Sequence, residues 1–210
     1  MNQESIKETQ KRIKDVSAPN LIVDGYWGAI STKAARNHLL KMMPKPNPFP
    51  TQSQIRAGNS IYGKRGVKDG YAPPMTKIIP PYEMLLYGEP LDKVKHIFVH
   101  EKCAGAFELA LTFIKQEFSS EDIKYFGLNR FFGVYNPRSI RGGSVASMHA
   151  FACAMDLDAN RNKNSSHWPT AAFMPIEAME CFAKAGIIAA GVFWNRDAMH
   201  FEASNPVYNI

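Results

Sequence analysis

The chain has few cysteines and no long apolar run. Cys103, Cys153 and Cys181 are its three cysteines, and no two of them form a Cys-x-x-Cys pair. A disulfide framework and a thiolate zinc knuckle are therefore not expected. The apolar neighbours of each cysteine predict a small core residue instead. No apolar stretch approaches the roughly 18 residues of a membrane span, so no stable membrane insertion is expected.

The N-terminal residues also lack the apolar core of a secretory signal peptide. We therefore expect synthesis in the cytoplasm without a signal peptide, and delivery by another route if the substrate lies outside. Internal repeats and low-complexity tracts are missing as well.

What is present is the composition of a globular protein. Hydrophobic residues make up 45% of the chain and charged residues 21%, which excludes global disorder. The net charge of +6 favours anionic partners. Nucleic acid is not expected, because neither a basic helix nor a strand platform of aromatic and basic residues occurs. An acidic membrane face and an anionic cell-wall polymer stay open.

Residues 1–43 predict a small helical module with a polar turn between two helices. The first helix covers residues 3–14, the turn covers 24–28, and Ser31 or Thr32 caps the second helix. Such a unit is too small to be very stable alone.

Residues 44–92 predict a proline-rich connection. Eight prolines lie between residues 44 and 81, a density that breaks helices and central strands alike. A structureless loop of this length is unusual in a compact domain, so we expect it to be packed on the core.

Residues 93–210 predict an α+β domain, with a small antiparallel sheet and flanking helices. The predicted elements are a strand over 94–99, a helix over 102–118, a helix from Pro175 to Gly186, a buried strand over 187–194 and a final strand with residues 200–202.

Two stretches, 147–156 and 197–202, supply the residue types of a catalytic zinc site. His149, Asp156 and His200 offer two imidazoles and a carboxylate, and three protein ligands leave one position open for water. This set points to metal-assisted amide hydrolysis. The other histidines are interpreted as ordinary surface or core residues: His38, His96, His100 and His167.

Spacing adds a geometric condition to this interpretation. Residues seven apart on a regular strand point to opposite faces, so the chain must bend between His149 and Asp156. Likewise, a turn must separate Asp197 from His200. Asp197 is the candidate general base for a water whose pKa zinc lowers. Asp158 is an alternative ligand, although hydrogen bonding within a turn is the favoured interpretation.

Three further residues are candidates for supporting roles. Glu202, two residues after His200, would share its face of a regular strand and support an imidazole or an arginine. Arg138 and Arg141 could bind a substrate carboxylate or a developing oxyanion. Arg141 is favoured for the catalytic role because two glycines follow it.

These motifs resemble those of the zinc D-alanyl-D-alanine carboxypeptidase and L-alanyl-D-glutamate endopeptidase family, which includes VanY-type enzymes and bacteriophage endolysins. The resemblance rests on Ser147-x-His149-x-x-Ala152-x-Ala154-x-Asp156, on Asp197-x-x-His200 and on the phage-like Arg141-Gly142-Gly143-Ser144. It extends more weakly through residues 51–58 and 62–63. One departure is Ala152, where the family has glycine.

The resemblance implies a Hedgehog/DD-peptidase-like fold and Zn²⁺ bound by His149, Asp156 and His200, with Asp197 as base. It also implies a phage endolysin, expected as a monomer, that cuts the peptidoglycan stem after release to the cell wall. The expected bond is L-Ala-D-Glu; a D-Ala-D-Ala carboxypeptidase and a non-catalytic wall-binding protein are the alternatives. Arg138 and Ser147 are the expected substrate contacts.

Residues 3–43 resemble a small three-helix peptidoglycan-binding module. The matching turn is Val23-Asp24-Gly25-Tyr26-Trp27-Gly28, whereas the closing aromatic-Gln pair of that family is absent. Asp24, Tyr26 and Trp27 are therefore candidate wall-binding residues. The alternative is a helical hairpin that only caps the main domain.

Overall fold

The computed structural model describes residues 2–88 and 92–206 and confirms the α+β class. The α-helices are α1 (Gln3–Val16), α2 (Ala29–Met42), α3 (Gln52–Arg56), α4 (Ala104–Glu117), α5 (Ser120–Tyr125), α6 (Ile176–Lys184) and α7 (Ala190–Phe193). The strands are β1 (Met75–Ile78), β2 (Leu85–Leu86), β3 (Ile97–His100), β4 (Arg130–Gly133), β5 (Ala154–Leu157), β6 (Ile188–Ala189) and β7 (His200–Glu202). Two short 3-10 helices cover Glu101–Cys103 and Met148–Phe151.

The main sheet has five strands in the order β2-β4-β5-β7-β6, and β1 pairs with β3 in a second sheet. All pairs are antiparallel as predicted except β2–β4, which is parallel. The expected small antiparallel sheet is therefore present, with one parallel pair at its edge. The parallel pairing is possible because β3, α4 and α5 lie between the two strands in the sequence, and a parallel pair needs such a long crossover.

Several predicted elements differ in position from the observed ones. The strand predicted over 187–194 is wrong beyond its first residues, since β6 ends at Ala189 and α7 follows. A short buried apolar run does not distinguish strand from helix by its pattern. Gly191 allows this helix to pack closely against the segment before β7, because a Cβ there would lie 2.9 Å from Ala198 Cβ and 3.1 Å from Ala198 Cα. The strand predicted over 94–99 is observed three residues later, as β3 over Ile97–His100.

Differences also occur in the first 92 residues. Helix α2 begins at Ala29 after Gly28, before the predicted Ser31 or Thr32 cap. Ser31 is buried instead, and its hydroxyl lies 3.2 Å from Gln10 Nε2. The proline-rich connection contains α3, β1 and β2.

The N-terminal helices share a hydrophobic core with the rest of the chain. Ile13 and Leu39 are fully buried in the same cluster as Phe182 and Phe201. This packing fits the alternative of a hairpin that caps the main domain. The predicted boundaries of the three regions, at residues 43 and 92, stay predictions.

A buried ionic group, here called the Glu180 cluster, also joins α1 and α2 to α6. Glu180 Oε2 accepts a hydrogen bond from Arg12 Nη2 at 2.7 Å, and Oε1 accepts one from Arg12 Nε at 3.1 Å. Oε1 also lies 2.8 Å from His38 Nε2, and Ser17 Oγ lies 2.8 Å from His38 Nδ1. His38 and Glu180 are almost fully buried, so these partners replace the water that both side chains lose on folding.

The longest helices have 14 residues, and within residues 2–88 and 92–206 no helix has the length and apolarity needed to cross a membrane.

Candidate metal centre

The predicted bend between His149 and Asp156 is present in the structure. His149 lies in the 3-10 helix that follows Ser147, whose hydroxyl accepts a hydrogen bond from the His149 N–H at 3.4 Å. Ala152 ends this helix in the left-handed conformation, with φ 52° and ψ 26°. The chain then enters β5, which carries Asp156. The resembled family has glycine at position 152, the residue that adopts this conformation without a Cβ penalty.

Strand pairing brings the third residue of the set to the other two. Asp156 on β5 is directly opposite His200 on β7, so their side chains share one face of the sheet. The predicted turn before β7 is also present, since the His200 N–H donates to the Asp197 carbonyl at 2.9 Å.

Three atoms of these side chains converge on one point, and together they are able to hold a metal ion. His149 Nε2 lies 3.1 Å from His200 Nδ1 and 3.2 Å from Asp156 Oδ1, and His200 Nδ1 lies 3.0 Å from Asp156 Oδ1. Ligands about 2.0–2.1 Å from a tetrahedral zinc ion lie roughly 3.3 Å from one another. The three atoms therefore form a triangle close to the size that zinc requires.

The remaining imidazole nitrogens have partners that orient both rings. His149 Nδ1 lies 2.6 Å from the Val134 carbonyl oxygen, which can only accept a hydrogen bond. His200 Nε2 lies 3.0 Å from Glu202 Oε2. With a metal bound, each ring would carry its proton on the outer nitrogen and direct a lone pair to the centre, as metal-binding histidines do. This is the supporting contact that the sequence predicts for Glu202.

The charges of the cluster favour a cation. Burial raises the pKa of Asp156, but the neighbouring His149 and His200 outweigh this and hold it well below its usual range. Burial lowers the pKa of His200, whereas hydrogen bonds with Asp156 and Glu202 raise it to about 10. Without metal, His200 thus holds a proton at neutral pH, and zinc binding would displace it.

Asp197 lies beside this centre in a strained turn. Its φ is 61°, a region that non-glycine residues rarely adopt and that recurs at functional sites. Its Oδ1 is buried, with no hydrogen-bond partner in the described part of the chain. Burial is the main reason that the pKa of Asp197 is raised. A half-buried carboxylate with one buried, unpartnered oxygen and a raised pKa is suited to exchanging protons.

The cluster opens into a cleft of about 270 Å³. All the residues predicted for catalysis, metal binding, substrate binding and ligand support line this cleft: Arg138, Arg141, Ser147, His149, Asp156, Asp197, His200 and Glu202. Arg141 lies on an exposed loop, and Arg138 is half-buried, with its Nη1 donating to the Ser139 carbonyl at 3.1 Å.

Sequence reasoning missed several other residues of the cleft, among them Gln52, Arg56, Phe132, Trp194 and Arg196. Arg196 could have been found from its position next to Asp197. Gln52 and Arg56 lie in the weakly resembling segment 51–58, but no pattern in the sequence connects that segment with β7.

The candidate wall-binding residues lie outside the cleft. Asp24 accepts hydrogen bonds from the Tyr26 N–H at 2.9 Å and from Gln10 Nε2 at 3.0 Å, which stabilise its own turn. Trp27 packs edge-on against Trp168 with ring centroids 5.1 Å apart. Tyr26 is 74% exposed and Asp24 is exposed as well, so both side chains are accessible to a ligand.

Asp158, the alternative metal ligand, does not join the cluster. Its Oδ2 accepts hydrogen bonds from Arg161 Nε at 2.6 Å and Asn162 Nδ2 at 3.2 Å. The favoured interpretation, a local hydrogen-bonding role, agrees with this arrangement.

Comparison with known proteins gives one family match. The family model described as D-alanyl-D-alanine carboxypeptidase matches residues 141–203, which is less than a third of the chain but contains the cluster and Asp197. No curated protein and no solved structure matches the chain. Enzymes of the matching family depend on zinc, in agreement with the predicted cofactor. Together, the match and the buried cluster indicate a zinc metallopeptidase.

Proposed function

We propose that this protein is a zinc-dependent peptidase that hydrolyses a bond of the peptidoglycan stem peptide. The observation that carries the proposal is the convergence of His149 Nε2, Asp156 Oδ1 and His200 Nδ1 in a cleft that Asp197 also lines, with its Oδ1 unpartnered among the described residues. The match to a D-alanyl-D-alanine carboxypeptidase family over residues 141–203 supports the substrate class.

Each residue near the cluster has a role that follows from its chemistry. Zinc, when bound, supplies Lewis acidity and makes a water molecule acidic near neutral pH. Asp197 Oδ1 takes a proton from the attacking water and returns it to the leaving amine, for which its raised pKa is favourable. Glu202 and the Val134 carbonyl hold the two imidazoles in their required orientation.

The cleft arginines fit an anionic peptide. Arg56, Arg138, Arg141 and Arg196 line the same cleft, and a guanidinium group suits carboxylates. In the L-Ala-D-Glu segment of the stem, a free α-carboxylate lies next to the scissile bond. The phage-like Arg141-Gly142-Gly143-Ser144 also favours L-Ala-D-Glu over D-Ala-D-Ala. A D-Ala-D-Ala carboxypeptidase is the second candidate, because its substrate ends in a carboxylate and the matching family has this activity.

Mass spectrometry of digested muropeptides distinguishes the two bonds. Cleavage between L-Ala and D-Glu releases the stem without its first residue, whereas loss of the terminal D-alanine alone would contradict the endopeptidase proposal.

The substitution Asp197→Ala tests the role of Asp197 as general base. We expect the rate to fall by about 10²–10⁴-fold with zinc still bound, as for loss of a general base. Undiminished wall lysis by the zinc-loaded variant would show that Asp197 is not the base and would favour another mechanism.

We further propose that the protein acts as a phage endolysin on the cell wall, with synthesis in the host cytoplasm, and that the N-terminal module contributes wall affinity. The exposure of the large apolar side chains Ile22, Tyr26 and Ile30 in this module supports the latter role, since each is 72–79% exposed. Deletion of residues 1–43 would uncover the shared core, so Tyr26→Ala is the better test. We expect weaker sedimentation with purified walls and unchanged cleavage of a soluble stem peptide. Unchanged sedimentation would refute the binding role.

A further inference from the structure

A chain of hydrogen bonds leads from a cleft arginine to the metal centre. Arg56 Nη1 donates to Gln52 Oε1 at 2.9 Å, and Gln52 Nε2 donates to Glu202 Oε1 at 2.7 Å. Glu202 Oε2 then lies 3.0 Å from His200 Nε2. Four side chains thus connect helix α3 with strand β7, although 150 residues separate Gln52 from Glu202 in the sequence.

The direction of every hydrogen bond in this chain is determined by its chemistry. Arginine only donates, so the oxygen of the Gln52 amide faces Arg56 and its NH₂ group faces Glu202. The Ser204 hydroxyl also hydrogen bonds with Glu202 Oε1. Since Oε1 has these two donors, Oε2 is left to accept from His200 Nε2–H. That contact holds the His200 lone pair on Nδ1, toward Asp156 and His149.

Helix α3 does not need the Gln52 side chain for its own stability. Its N-terminus is closed by a capping box between Thr51 and Gln54, and Ile55 is fully buried beneath it. The Asn205 N–H donates to the Pro50 carbonyl at 2.9 Å and fixes the helix against the end of β7. The Gln52 side chain is thereby free to point toward Glu202, which is 1% exposed.

We propose that Gln52 is a positioning residue for the metal centre, with Arg56 fixing the orientation of its amide. It acts through Glu202, by keeping that carboxylate in place to accept from His200. This assignment rests on the proposed function for the identity of the metal. It predicts that zinc affinity depends on a glutamine in the proline-rich connection, far from the ligands in sequence.

Gln52→Glu tests this, with Gln54→Glu as a matched control. The first variant is isosteric but places a second carboxylate against Glu202, so the two repel and Glu202 loses its position. The control makes the same chemical change two residues away, on an exposed side chain whose capping role glutamate also performs. The zinc dissociation constants of the three proteins are to be compared by competition with a chromophoric chelator. Their thermal unfolding is to be compared in the metal-free state.

We expect zinc to bind Gln52→Glu about 10–100-fold more weakly than wild type, the usual effect of losing an outer partner of a metal ligand. The control should stay within about twofold. In the zinc-loaded proteins, the ¹⁵N chemical shift of His200 Nε2 should report an N–H hydrogen-bonded to Glu202 in wild type and control, and a shifted Nε2 signal in Gln52→Glu. A merely structural role would lower thermal stability and leave this ring signature unchanged.

Two milder variants keep the proposal decidable if Gln52→Glu does not fold. Gln52→Asn keeps the amide but is one methylene too short to reach Glu202, and Arg56→Met lets the amide rotate. Both should weaken zinc binding, and Gln52→Asn more than Arg56→Met. Wild-type affinity in folded Gln52→Glu or Gln52→Asn would overturn the positioning role while leaving the proposed function intact. Failure of wild type to bind zinc would instead overturn the proposed function.

Discussion

Two regions of this molecule combine buried carboxylates with histidine, and they do so for different ends. In the Glu180 cluster both carboxylate oxygens and both His38 ring nitrogens have complementary partners, and Arg12 and His38 both donate to Glu180. In the metal centre, two imidazole nitrogens and a carboxylate oxygen face one another, and Asp197 Oδ1 has no partner within the described residues. A satisfied group stabilises the fold, whereas convergent acceptors need a cation. Direction of hydrogen bonding, more than residue type, separates the two.

Asp156→Asn should produce the largest effect, a loss of zinc affinity. It changes the metal centre and leaves the Glu180 cluster intact. It removes the only negative charge among the three converging groups, so we expect zinc affinity to fall by about 10²–10³-fold, or roughly 3–4 kcal/mol for one ligand. Peptidase activity at limiting zinc should be lost with it. Chelator competition measures the affinity. An unchanged affinity would mean that Asp156 is not a ligand.

Glu180→Gln removes the carboxylate charge of the Glu180 cluster and leaves the metal centre intact. Removing one charge of a buried ion pair should lower the free energy of unfolding by about 3 kcal/mol. Zinc affinity should not change, because the Glu180 cluster lies outside the cleft. Glu177→Gln on the same helix is the control, since burial raises the pKa of Glu177 and its charge is already unfavourable. Urea unfolding of the three proteins measures the difference; equal losses in both variants would contradict a specific role of Glu180.

The same comparison predicts opposite responses to pH. Burial raises the pKa of Glu180, but His38 and Arg12 outweigh this and lower it. Its stabilisation is therefore present at neutral pH and is lost as pH falls through the lowered folded-state pKa. Asp197 has a raised pKa, so its ionisation costs stability as pH rises above its unfolded value.

Asp197→Asn should accordingly make the metal-free protein more stable at pH 7, and this gain should disappear below about pH 4, where both states are protonated. Free energies of unfolding of wild type and variant, measured from pH 7 down to pH 3, test the sign. A destabilised variant at pH 7 would mean that the charge of Asp197 is satisfied in the folded protein.

The smallest effect concerns the bend that separates His149 from Asp156. Ala152→Gly should relieve about 1–2 kcal/mol of left-handed strain and lose about 0.8 kcal/mol for one buried methyl group. The net change is a stabilisation of about 1 kcal/mol or less, measurable as a higher thermal midpoint. A clear destabilisation would show that packing of the Ala152 methyl group outweighs the strain.

The sequence predicts the metal cluster well, because its residues follow from local spacing and side-chain chemistry. The bend at Ala152 and the turn before His200 are both necessary consequences of that spacing. Gln52 and Arg56 could not be predicted, since their contacts with Glu202 and the cleft depend on how the proline-rich connection folds back. The helix α7 was missed because a buried run of small and apolar residues fits either secondary structure. The Glu180 cluster likewise joins residues more than 140 positions apart.

Metal content of the purified protein tests the central claim most directly, compared between wild type and Asp156→Asn after exposure to zinc and removal of excess metal. The account predicts one tightly bound zinc ion per chain in the wild type, little in the variant, and wall-degrading activity that chelation abolishes and zinc restores. Wild-type protein that retains no zinc, or activity that survives complete removal of metal, would contradict it.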